Sequence, residues 1–460
     1  MKRRNFLKQS LVAVGAGAFC RALNSENLIA NAEALLSEPL VLRQALLEEA
    51  KRIFTLNRVD SKLGVFHLPS KASYPRFFGW DSGWNVISQS AFDPESALLE
   101  LEAVFNFQDD SGYVAHEALI PEFDKSKDPT YLWLGDKYFD DKGRCRIVDP
   151  PSYLIAAEAL YRKTKSQRVL ALIPQMEKCL EYLLEQRDLF GDGLVSIIHP
   201  WEAGTDEAPY FDACLGINVN NPLTILKVGA RLSQLISECD SQNWELKKIA
   251  EANKFIFEDL CINAITCAGA VSVAELIKAK GDEKKANFWM GKAKAMIEAM
   301  EKIFWDNERG FFFPRWDLKA PKRVYRTSVP GMLPLLTGLV SEDKAQRVIE
   351  SYLVSPAHFW GKWLVPFNSI TEMKQENTLW VRNMLWRGPC IWINMNWMSA
   401  RVAARYGRKD LAKRITQNTA LMVYQNGFRE YYNPETGKGI GANNFTWPAL
   451  VLDMIDEYGI

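Results

Sequence analysis

VLRQALLEEAKRIF, ESALLELEAVFNF and PSYLIAAEALYRKTK each set apolar residues three and four positions apart, the spacing of a helix with one buried face. The same period returns in ALIPQMEKCLEYLLEQ, NPLTILKVGARLSQLISE, WELKKIAEANKFIFEDL, KKANFWMGKAKAMIEAMEKIFW and DLAKRITQNTALMVYQ. Sustained strand alternation is missing, so the chain reads as all-α. Helix stop and start signals cut it into hairpins, and short links such as RKTKSQRV alternate with long ones. The long ones lie near 57–93, 109–150, 187–222, 306–330, 354–392 and 426–446 and are rich in Trp and Asp. Loops of that length and composition are functional more often than disordered. Hairpins with short links at one end and long links at the other close naturally into a ring that gathers the long loops on one face. The expectation is an (α/α)6 toroid with its site on that face, forming one domain over residues 40–460. An open helical solenoid is the alternative.

The first 32 residues read as a leader. KRRNFLK carries a twin-arginine pair, LVAVGAGAF is too short to span a bilayer, and Ala30 and Ala32 offer a cleavage signal. Periplasmic or extracellular delivery follows, without stable membrane insertion after the leader is removed. Cys20 is a poor lipidation site because bulky Phe19 precedes it. The 56 basic and 56 acidic side chains balance, leaving no field of one sign to hold a nucleic-acid backbone. The eight cysteines include no C-x-x-C pair, and the four histidines, at 67, 116, 199 and 358, show no ligand spacing. No metal and no organic cofactor are expected, and no contiguous calcium loop is visible.

Two acidic clusters stand out. HPWEAGTDEAPYFD, residues 199–212, places Asp206 and Glu207 ahead of a helical run, where capping is the ordinary explanation. FREYYNPETGKGIGANNFTW, residues 428–447, sets Glu430 beside Arg429, which favours an ionised carboxylate. Alone, such a glutamate is more often a surface ion-pair partner.

Taken together, these stretches resemble glycoside hydrolase family 63, its mannosylglycerate-hydrolase-like branch in the six-hairpin glycosidase superfamily. HPWEAGTDEAPYFD resembles that family's W-E-S-G-x-D-N-S-P-x-x-D segment, and residues 428–450 resemble its closing segment. FFGWDSGWN, FQDDSGYVAHE, FWDNERGFFF and LWRGPCIWINMNWM follow in the family's order. The resemblance implies an inverting α-glycoside hydrolase acting on a small α-glucoside or α-mannoside. Asp206 would be the general acid and Glu430 the general base. Trp80 and Asp81 would line the sugar pocket, with Gln108, His116, Trp201, Arg387 and Trp392 as further contacts.

The departure at Glu207-Ala208, where the family pattern has Asn-Ser, leaves a second reading open: a non-catalytic carbohydrate-binding protein on the same toroid. An epimerase is a third, disfavoured by the scarcity of histidine. An anionic leaving group such as glycerate calls for a cationic grip, and Lys137, Arg323 and Arg326 are the loop residues that could supply it. Asp306 reads as a turn organiser, and His199 as a structural histidine.

Overall fold

The computed structural model describes residues 36, 38–218, 227–375 and 385–460. The leader, and part of the helix expected over 221–238, lie outside the described residues.

The helices that build the ring alternate between an outer and an inner layer, while shorter pieces and the helix Val228–Ser241 lie in the links between them. In chain order they are α1 (Pro39–Asn57, outer), α2 (Gly79–Gln89, inner), α3 (Pro94–Asn106, outer) and α4 (Ser152–Thr164, inner). Next come α5 (Ile173–Gln186, outer), α6 (Leu260–Ala279, inner) and α7 (Glu283–Ile303, outer). The inner segment Val329–Thr337 is a 3-10 helix rather than an α-helix, because Pro330 and Pro334 remove amide donors. The last four are α8 (Glu342–Val348, outer), α9 (Ile393–Arg405, inner), α10 (Lys409–Asn426, outer) and α11 (Leu450–Tyr458, inner). Inner members pack in the cycle α2, α4, α6, Val329–Thr337, α9, α11 and back to α2, which closes the ring. This is the (α/α)6 toroid expected from the link lengths.

Two of its inner helices are enclosed along nearly their whole length. Every residue of α2 is buried, and so is most of α6. Among the described residues α6 alone is long and apolar enough to cross a membrane, yet 89% of its most apolar window is enclosed by the ring. α6 is apolar all round, so its 3.6-residue period fades, whereas α2 buries Asp81, Ser82, Asn85, Ser88 and Gln89 along with its apolar residues. The region 57–93, read from the sequence as a loop, contains α2 because its two glycines and buried polar residues carry no local helix signal. The helix expected over 244–260 is shorter: Leu246–Ala252 ends at Asn253 with φ 50°, and Phe257–Glu258 is extended.

Links from inner to outer helices are short, as at 90–93, 280–282 and 338–341, whereas links from outer to inner are long. The long links therefore collect at the N-terminal ends of the inner helices. They hold small antiparallel pairs: β1 (Arg58–Ser61) with β2 (Gly64–His67), β3 (Phe77–Phe78) with β4 (Glu117–Ala118), and β5 (Arg429–Tyr432) with β6 (Gly439–Asn443).

Candidate active site

At that end of the ring lies a cavity of about 120 Å³. Trp80 and Asp81 reach it from the first turn of α2, Trp392 from the residue that caps α9, and Trp447 from the turn before α11. Asp206 and Glu207 enter from the loop after α5, and Glu430 enters from β5. Two acidic stretches more than two hundred positions apart in sequence thus face one space.

The Asp206 loop is anchored by its neighbour Glu202, which is fully buried. Its carboxylate accepts the amides of Val148 (3.0 Å) and Ile198 (2.6 Å), and it is paired with the Arg187 guanidinium through both oxygens. Glu202 is thus the clamp, and Asp206 is the free acid. Gly204 supplies the bend, with φ 68°, and a Cβ there would lie 2.9 Å from the Trp80 ring. On the far side Arg387 donates to the Glu207 carbonyl (3.0 Å) and to Asp212 Oδ2 (2.6 Å).

Among the described residues Asp206 accepts no hydrogen bond from a neighbouring side chain. Burial first, and the Glu207 carboxylate second, push its pKa up to about 8. It keeps part of its exposure because it faces the cavity. A carboxyl in that state holds its proton at neutral pH. Glu207 is itself raised by burial and drawn back by Arg387.

Glu430 is arranged differently. Strand pairing slips between Arg429 and Tyr431, and this bulge aims the Glu430 side chain into the cavity. The Tyr74 hydroxyl donates to Oε1 at 2.6 Å, and the Ala442 amide donates to Oε2 at 2.8 Å. Gly441, at φ 70°, lets the strand pass: a Cβ there would sit 2.3 Å from Oε2. Burial raises the Glu430 pKa, while Tyr74, then Ala442, and only then Arg429, pull it down. Arg429 therefore matters less than sequence adjacency implies; its guanidinium donates to the Gly441 carbonyl at 2.8 Å. Donors on both oxygens favour the charged carboxylate.

Asp81 is buried and raised well above the usual range, by burial and then by Asp206. His116 is held down to about 4 by burial, so its imidazole is neutral, and its Nδ1 has no partner among the described residues. The Trp80 and Trp392 indole N–H groups likewise have no partner among the described residues. Trp392 lies between Trp386, stacked at 3.6 Å, and Tyr431 at 4.9 Å, so both its faces are covered and its edge is what remains to offer. Neutral donors and acceptors ringed by aromatic surface suit a pyranose, with its hydroxyl rim and apolar face.

Six of the residues singled out from sequence share this wall: Trp80, Asp81, His116, Asp206, Trp392 and Glu430. Three, expected from sequence as sugar contacts, do not line it. Gln108 donates to the Gly112 carbonyl (3.1 Å) and the Gln175 carbonyl (2.9 Å), tying its loop to α5. Trp201 packs against His199, Tyr138 and Trp133 behind the acid loop. Arg387 braces that loop as described. The sequence reading missed Tyr74, Phe78, Trp386, Phe445 and Trp447, which also line the cavity. Trp386 and Trp447 stand inside quoted motifs, whereas Tyr74 carries no local signal. His199 is structural, with Nε2 on the Leu232 carbonyl and Nδ1 accepting the Trp201 amide. Asp306 accepts the Arg309 amide at 2.8 Å, as a turn organiser does. Among the described residues no three His, Cys, Asp or Glu side chains gather as a metal set.

The family profile described as the mannosylglycerate hydrolase MGH1-like glycoside hydrolase domain matches residues 74–448. The mannosylglycerate hydrolase of Rubrobacter radiotolerans is 27% identical over 440 residues, covering 90% of this chain and 97% of that protein. The glucosylglycerate hydrolase of Mycolicibacterium hassiacum is 21% identical, covering 85% and 94% of the two chains. The crystal structure of the family 63 mannosylglycerate hydrolase of Thermus thermophilus, with Tris and D-glycerate, superposes with a TM-score of 0.75. It is 25% identical and covers 90% of this chain and 100% of its own.

Proposed function

Since the chain belongs to the MGH1-like glycoside hydrolase family and is a glycosidase of small glycosides, we propose that it inverts an α-glucoside or α-mannoside, with Asp206 as general acid and Glu430 as general base. The observation that carries this reading is the unlike environment of two carboxyls facing one cavity. Asp206 is proton-bearing and next to a second acid, whereas Glu430 is held by a donor on each oxygen. Groups whose surroundings differ in this way can divide acid and base work.

In the proposed reaction Asp206 delivers its proton to the glycosidic oxygen as the bond to the anomeric carbon breaks. Positive charge spreads over the ring oxygen and that carbon. Glu430 removes a proton from a water on the opposite face, and the water oxygen bonds to the anomeric carbon there, inverting it. Tyr74 and the Ala442 amide keep Glu430 aimed before the water arrives. Asp81 and the neutral His116 imidazole serve as partners for sugar hydroxyls, and the aromatic wall excludes bulk water. A panel of α-glycosides followed by proton NMR tests the stereochemistry. The first sugar released is expected as the β-anomer, mutarotating afterwards. A first-formed α-anomer would eliminate the inverting mechanism.

The same proposal extends to location. Arg3 and Arg4, the apolar run after them and the Ala30/Ala32 signal favour export of the folded enzyme to the periplasm or beyond. Fractionation of the source cells checks this: activity confined to the cytoplasm would overturn it.

A further inference from the structure

The cavity wall carries four carboxyl side chains, Asp81, Asp206, Glu207 and Glu430, and among the described residues no lysine or arginine lines it. The basic residues that sequence offered as an anion grip are elsewhere. Arg323 donates to the Ile303 carbonyl and to Asp306, Arg326 pairs with Glu372 at 3.7 Å, and Lys137 is solvent-exposed. Arg387 stays behind the wall, engaged by the Glu207 carbonyl and Asp212.

We propose that this site selects glycosides whose leaving group is uncharged, and that the Glu207 side chain is what disfavours an anionic one. The inference rests on the glycosidase reading of the same cavity. Asp206 must touch the departing oxygen, so the residue joined to it, also on the wall, borders the leaving-group side. A carboxylate brought there sheds water and meets like charge, and among the described residues the one nearby cation acting on Glu207, Arg387, is already engaged by Asp212, so the approach is costly in a confined space. A polyol instead offers hydroxyl donors to the same oxygens. The mannosylglycerate and glucosylglycerate hydrolases similar to this chain bear names of glycosides with an anionic leaving group. This chain shares the toroid of the Thermus thermophilus structure, and four carboxyls stand on its cavity wall.

The test compares kcat/KM for α-mannosylglycerol against α-mannosylglycerate, and α-glucosylglycerol against α-glucosylglycerate, at one pH for the full chain and its Glu207→Gln variant. For the sugar accepted, the neutral member is expected to be favoured by about tenfold or more, and Glu207→Gln to shrink that ratio by about threefold or more. Taking the ratio on one enzyme cancels the variant's effect on Asp206, which both substrates share. Equal or better cleavage of the glycerate glycosides would overturn the selectivity while leaving hydrolysis standing. A neutral preference that Glu207→Gln leaves unchanged would overturn the role of Glu207. No turnover of these or any panel glycoside, by either form, would remove the glycosidase reading and this inference with it.

Discussion

Replacing Asp206 by Asn is expected to lower kcat on an alkyl α-glycoside by about 10²–10⁴-fold, the range that a positioned acid supplies. The amide keeps the shape of the side chain and cannot release a proton to the leaving oxygen. A leaving group that departs without protonation, such as a dinitrophenolate or fluoride, needs no acid, so the same variant should lose much less on those substrates. Glu430→Gln should lose activity on good and poor leaving groups alike, because activation of water is required in both cases. Steady-state kinetics on the two substrate types separates the roles; a loss by Asp206→Asn that is independent of leaving group would remove it as the acid. The wild-type pH profile carries the same information. Asp206 works while protonated, so activity should decline as pH rises through about 8. Asp206→Asn should abolish that limb in whatever activity remains.

Glu202→Ala should destabilise the fold by about 3–5 kcal/mol, the usual consequence of leaving one member of a buried ion pair without its partner. Arg187 and Glu202 have side-chain exposures of 1% and 0%, so water cannot replace what is removed. The Val148 and Ile198 amides lose their acceptor as well. Urea unfolding, with Asp206→Asn as the control from the same loop, measures the difference. The double variant Arg187→Met with Glu202→Met should recover much of the loss, since it removes both charges and keeps the volume. A Glu202→Ala cost below about 1 kcal/mol would mean that the pair does not anchor the loop.

The ring was legible in sequence through its outer helices. α1, α3, α5, α7 and α10 each bury one face and expose the other, so their periodicity survives in the linear pattern. α2 and α6 contact protein on every side, and their identity as helices depends on neighbours that the local sequence does not contain. Alternation of link length carried the topology regardless, because it requires only that hairpins turn tightly at one end.

For the site, sequence determined which motifs bring carboxyls, tryptophans and glycine turns, and the family pattern singled out Asp206 and Glu430 among many acids. Tertiary structure decided what each group does. Glu202 became a clamp because Arg187 and two amides converge on it, while Asp206, four positions on, meets no side-chain donor among the described residues and keeps its proton. Glu430 is held by Tyr74, 356 positions away in the chain, rather than mainly by adjacent Arg429. Helix period is a local property that short-range sequence can encode. The charge state of a buried carboxyl depends on the donors and charges packed around it, and folding brings those together from distant parts of the chain.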